Sequence, residues 1–141
     1  MDMVKKILAP TDFSDLSARG VRYACQLARD IGAEITIFNA VFVDESGINK
    51  GEIEEHRQQL EEFVARNLAD VGANLRIRKA IDSGQAYKAI VERAENEQID
   101  LIVMSSHGRS GLSRMMMGSV TDKVLRGASC PVLVVPLEKE N

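Results

Sequence analysis

Residues 101–135 read LIVMSSHGRSGLSRMMMGSVTDKVLRGASCPVLVV, and the fold class is decided here. Leu101 to Met104 is a short apolar run of strand length, and Val132 to Val135 is a second, held between Pro131 and Pro136. Between them come a glycine- and serine-rich loop and a helical segment predicted at Ser119 to Arg126. Strand, loop, helix and strand in that order make one crossover unit, which joins parallel strands with a right-handed connection.

The same alternation extends upstream. Lys6 to Ala9 is predicted as the first strand, stopped by Pro10, and Ser14 to Ile31 as a helix with Val21, Ala24, Leu27, Ala28 and Ile31 at steps of three and four. Gly32 supplies the helix-terminal glycine. Glu34 to Val43 reads as the second strand and Asp44 to Gly51 as a loop. The longest helix is predicted at Ile53 to Val71, with an apolar stripe of Ile53, Leu60, Phe63, Val64, Leu68 and Val71 and a charged, solvated opposite face. His56 lies on it with no partner at ligand spacing, which predicts a structural or exposed role. Leu75 to Ile81 alternates as LRIRKAI, a half-exposed third strand at a sheet edge with Arg76, Arg78 and Lys79 turned outward. Ser83-Gly84 is a turn, and Ala86 to Glu97 the third helix. No linker or repeat interrupts residues 1–141, so one α/β domain with a five-stranded parallel sheet is expected.

Bulk properties narrow the function. With 45% hydrophobic and 28% charged residues the chain is globular in composition, and a net charge of −3 gives no electrostatic footprint for nucleic acid. The opening MDMVKKILAP lacks the series of a signal peptide, and no apolar run approaches a membrane span, so a cytoplasmic protein without membrane contact is expected. Cys25 and Cys130 match no metal or redox spacing; Cys25 reads as a small buried hydrophobe, and no disulfide is expected.

In open parallel sheets ligands bind beyond the carboxyl ends of the strands, where strand order reverses, so the loops after strands one, two and four are the candidates. Residues 105–119 hold three glycines, His107, two arginines and no acid, a local charge of +2. Glycines let main-chain N–H groups curl around an anion, and Gly118-Ser119 opens a helix whose first amides favour phosphate. Ser119 is also a candidate N-cap. Two readings stand on these features alone: a phosphate cradle, or a flexible loop before a capped helix. The patterns GxxxxGK[ST] and, after the first strand, GxGxxG are absent, which excludes P-loop and dinucleotide-binding types. His107 has no carboxylate placed to orient it and no adjacent nucleophile, so a packing or polar contact is expected of it rather than catalysis. Met115-Met116-Met117 reads as packing surface, not a metal site.

The run MSSHGRSGLSRMMMGSVTDKVLRGASCPVLVVP and the opening KKILAPTDFSD resemble the universal stress protein family, and the likeness covers the whole chain in the expected element order. The resemblance implies a Rossmann-like, adenine nucleotide alpha-hydrolase-like sheet of order 3-2-1-4-5 with helices on both faces. Nucleotide-binding members carry Gly, two residues, Gly, nine residues, then Gly-Ser or Gly-Thr. Gly108 matches the second glycine and Gly118-Ser119 the end of the pattern, whereas the first glycine falls on Ser105. That departure would crowd a phosphate if the side chain faced it, and would be costly if the position needed φ > 0.

By resemblance, Gly108, Arg109, Gly111, Gly118, Ser119 and Val120 would line the phosphates. Asp12, in the Pro10-Thr11-Asp12 turn, would face the ribose or a metal; its alternative is the N-cap of the first helix. Ala40 or Val41 would offer main-chain contacts to adenine, and Met104, Ser105 and His107 complete the implied site. The implied cofactor is ATP (or ADP or AMP) with Mg²⁺ or Mn²⁺, in a stress-response regulator that is at most a slow ATPase. The implied partners are a second copy, paired through Val132 to Val135, and an unidentified protein. A member acting only through protein contacts is the alternative, favoured by Ser105. An enzyme such as a nucleotidyl transferase would need a catalytic set that is not legible.

Overall fold

The computed structural model describes residues 3–42, 47, 50–107 and 117–137. The elements run β1 (Lys6–Pro10), α1 (Asp15–Ile31), β2 (Glu34–Val41), α2 (Lys50–Leu68), β3 (Ile77–Ser83), α3 (Ala86–Asn96), β4 (Leu101–Ser105), α4 (Ser119–Gly127) and β5 (Val132–Val135). Every strand pairing is parallel, and the sheet order is β3-β2-β1-β4-β5, as the resemblance implied.

Side chains alternate across β1, and the alternation sorts the core into two layers. Ile7 and Ala9 pack with Val21, Ala24 and Cys25 of α1 and with Leu60 and Phe63 of α2. Leu8, on the other face, packs with Phe38, with Ala89 and Ile90 of α3 and with Val124 of α4. Helices therefore cover both faces, α1 and α2 on one and α3 and α4 on the other. Cys25 is fully buried, and burial pushes its thiol up to about 11; both cysteines are free.

Several element ends differ from the sequence reading. Pro10 does not stop β1 but is its last residue, opposite Phe38; it has no donor, and Thr11 N–H makes the next bond, to Phe38 O. β2 ends at Val41. Helix α2 starts at Lys50, earlier than Ile53, and ends at Leu68, where Val71 and Gly72 N–H both turn back onto the Leu68 carbonyl. Val71 is still buried, which is why it reads as part of the stripe. β3 begins at Ile77 rather than Leu75, because Leu75 N–H bonds Gly72 O in a turn that contains Asn74 at φ 63°. It is a sheet edge, as expected.

Caps explain the ends of α1. Ser14 is its N-cap, accepting from Ser17 N–H, and Gly32 closes it in the left-handed region at φ 73°. Asp12, the alternative candidate for that cap, is not the cap: its Oδ1 accepts from the N–H and hydroxyl of Ser14 and so braces the residue that is.

Candidate functional site

The sheet order reverses between β1 and β4, and a cavity of about 230 Å³ opens at their carboxyl ends. Pro10, Thr11 and Asp12 form one wall, Ala40 and the end of β2 a second, and Met104, Ser105 and His107 a third. Gly118, Ser119 and Val120 close it. These ten are the expected site residues that the fold brings together. Val41 does not line the cavity: its side chain is buried, and its carbonyl accepts from Gly84 N–H across to the end of β3. Gly108, Arg109 and Gly111 lie outside the described residues, as do Met115 and Met116.

The turn after β1 is held from all sides. Thr11 is buried; its carbonyl accepts from Asn39 Nδ2 at 2.9 Å, and its hydroxyl accepts from Phe13 N–H at 3.0 Å and lies 2.7 Å from Ser17 Oγ. Ser17 spends its own hydroxyl proton on Ser14 O, so the Thr11 hydroxyl is the donor in that pair. Phe13 has φ 69°, uncommon for a bulky side chain, and its ring lies 6.1 Å from Phe63 and 6.0 Å from His56. Such strain, roughly 1–3 kcal/mol, persists only where surrounding contacts over-determine it. Here it sends the aromatic ring toward α2 while Asp12 lines the cavity.

Of the two roles expected of His56, structural or exposed, the structure gives the structural one. Asn39 uses its amide nitrogen on Thr11, so its oxygen is the acceptor and His56 Nδ1 is the donor, at 3.0 Å. A relay thus runs from α2 through the middle of β2 to the carbonyl beside Asp12. The sequence held one signal for it, a polar Asn39 inside the apolar strand EITIFNAV. Ser17, Phe38, Ala86, Ile90 and Thr121 also line the cavity, and no local pattern marks them.

The opposite wall is built around residues 105–106. Ser106 N–H bonds Val135 O in β5, and Ser106 O accepts from Gly118 N–H at 2.7 Å. This last bond joins the two ends of the glycine-rich segment, so the chain enters α4 beside the place where it leaves β4. It also means that the Gly118 amide is already engaged. Gly118, not Ser119, is the N-cap of α4, and Ser119 is its first helical residue. The amides at this helix start without an intrahelical acceptor are therefore those of Ser119 and the two residues after it. His107 is buried, with Nδ1 3.0 Å from Ser106 Oγ, a polar contact of the kind expected. Ser105 is not among the residues with positive φ, and its hydroxyl bonds the backbone of α1. The crowding that the sequence raised does not arise.

Among the described residues Asp12 is the only carboxylate lining the cavity. Among the described residues no three metal-capable side chains gather into a ligand group.

A family model described as the universal stress protein family matches residues 3–136. The chain belongs to the universal stress protein family. This universal stress protein is 33% identical over 148 aligned positions to universal stress protein MJ0531 of Methanocaldococcus jannaschii, with 99% of this chain and 86% of that one covered. It is 30% identical to universal stress protein MJ0577 of the same organism, over 94% of this chain and 95% of that one. Among solved structures it resembles a universal stress protein in complex with cAMP, with a TM-score of 0.76 and 27% identity over 97% of this chain and 100% of that one. In the described part of this universal stress protein no helix is long and apolar enough to cross a membrane.

Proposed function

We propose that this universal stress protein binds an adenine nucleotide, ATP foremost, in the cavity between β1 and β4, and acts as a regulatory homodimer. One observation carries the reading: the amino end of α4, its cap tied to Ser106, borders a cavity at the switch point of the sheet. Helix amides and dipole favour phosphate there, while Asp12 on the far wall suits a ribose hydroxyl and would repel a bare phosphate. The cAMP complex of a structural neighbour supports the same class of ligand. A Mg²⁺ or Mn²⁺ ion would enter with the phosphates, since Mg²⁺ is commonly held by one or two carboxylates plus substrate phosphate, and Asp12 offers a carboxylate at the cavity wall. The reading is of binding rather than rapid turnover.

Thermal unfolding titrated with ATP, ADP, AMP and cAMP tests it. A ligand that binds only the folded state adds about 2.7 kcal/mol at 100 times its Kd, so the midpoint should rise with concentration. No rise with any of the four would leave the protein-contact reading standing instead. Gly118→Asp tests the placement. Gly118 has φ −59° and ψ 150°, open to any residue, and Asp is a good N-cap, so folding should survive. Its carboxylate would stand where phosphate is expected, and affinity should fall about tenfold or more. Unchanged affinity would overturn the placement.

The homodimer reading rests on β5, an apolar strand at the sheet edge with Val132, Leu133 and Val134 only partly buried. An open apolar edge invites pairing, and pairing with a second copy is self-complementary. Exposed Leu16 and Tyr23 of α1 border the same edge, lining a groove with Val135 and Leu137.

A further inference from the structure

Ser105 ends β4, and its side chain turns out of the sheet into the first turns of α1. The hydroxyl donates to Leu16 O at 2.7 Å and accepts from Gly20 N–H at 2.8 Å. Leu16 and Gly20 are the two ends of one i, i+4 step of the helix, so a single oxygen from another element bridges that step. The approach is possible because residue 20 has no side chain: a Cβ there would lie 2.6 Å from Ser105 N and 2.8 Å from Ser105 Oγ. On its other side Ser105 is held by α4, whose Thr121 hydroxyl donates to Ser105 O at 2.9 Å in a buried bond. Thr121 is the third residue of that helix, next to Ser119 and Val120.

One residue therefore ties together the amino-terminal turns of α1 and α4, two of the helices that border the cavity. α1 carries Ser14 and Ser17, which hold the Asp12 turn. α4 carries the amides assigned to the anion. We infer that Ser105 is a positioning residue: its hydroxyl, bound to α1, and its carbonyl, bound to α4, set the spacing between the Asp12 turn and the Ser119–Val120 amides, and with it the fit of a nucleotide. A glycine here would keep the carbonyl bond and lose the hydroxyl bridge, so the serine hydroxyl adds a clamp whose bonds are spent on α1. The consequence for nucleotide affinity rests on the function proposed above; the spacing itself does not.

The test compares Ser105→Ala, Thr121→Val and the double variant by amide NMR of the ligand-free protein and by calorimetric titration with ATP. In Ser105→Ala the Gly20 amide should exchange roughly three- to tenfold faster, the loss expected of one hydrogen bond. The Ser119 and Val120 amide resonances should move although the deleted hydroxyl is bonded to α1 and not to α4. ATP affinity should fall about three- to tenfold in each single variant, and the double variant should lose less than the product of the two, because either cut opens the same bridge. Resonances of Ser119 and Val120 that stay in place while Gly20 is released would overturn the inference and leave Ser105 a local brace of α1. Losses that multiply in the double variant would overturn it as well. If the native protein fails to bind ATP, the proposed function falls, and the NMR comparison still decides whether Ser105 sets the spacing. If Ser105→Ala does not fold, Thr121→Val alone must shift the Ser119 and Val120 resonances and weaken ATP, or the inference fails.

Discussion

Gly20 shows how one missing side chain can shape a site. Glycine inside a helix costs about 1 kcal/mol relative to alanine, so propensity alone favours Gly20→Ala. The contacts argue the other way, because the new Cβ would meet main-chain atoms, Ser105 N at 2.6 Å and Met104 C at 2.9 Å, which cannot swing aside. Overpacking of that kind costs typically 1–3 kcal/mol, enough to exceed the gain. Gly20→Ala should therefore lower the urea midpoint, and Ser105→Gly should not rescue it, since the backbone clash remains after the hydroxyl is gone. A variant as stable as the native protein would show that α1 can step away from β4 at no cost.

Between elements, a bidentate ion pair links α1 to the turn after α2. Arg22 donates to both carboxylate oxygens of Asp70, at 2.8 and 2.9 Å. These hydrogen bonds lower the Asp70 carboxyl from its ordinary 3.8 to about 2. A carboxyl depressed in the folded state stabilises above its unfolded value and loses that contribution as pH falls toward its folded value. The window is thus pH 4 to 2, with stability falling as acid is added. Asp70 is exposed, so solvent and salt screen the pair and the effect should be small. Urea midpoints measured across this window should fall less steeply in Asp70→Asn than in the native protein, and the difference should shrink in high salt. Parallel slopes would show that other carboxylates carry the acid response.

For the molecule as a whole, the exposed question is the edge at β5. Pro131 O accepts from Ile102 of β4 and Val135 O from Ser106 just after it, so the backbone of alternate residues 131, 133 and 135 faces inward. Val132 and Val134 present theirs to the open edge. Proline is tolerated on an edge strand when its missing N–H faces outward, so Val134→Pro should keep the fold by circular dichroism and convert the proposed dimer to monomer in sedimentation. A dimer that survives the substitution would place the interface elsewhere.

The element order was legible in the chain because its signals are local. The three-and-four spacing along residues 21–31, the glycine at 32 and the two apolar runs at 101–104 and 132–135 each lie within a few residues of one another. The glycine pattern, read with the family resemblance, pointed to the end of the sheet where the cavity opens. What depended on distant partners was not legible. Ser105 read as a possible obstruction, and its bonds reach residues 85 and 89 positions away. His56 read as structural or exposed, and its partner could not be named, since Asn39 lies on a different element. Val41 read as a cavity residue, but the pleat and the bond to Gly84 place it in the core. Local spacing determines which segments become strands and helices, because their hydrogen bonds and apolar faces repeat at short range. Only tertiary packing decides which side of a strand end meets a cavity and which meets a helix, since that choice depends on atoms far away along the chain.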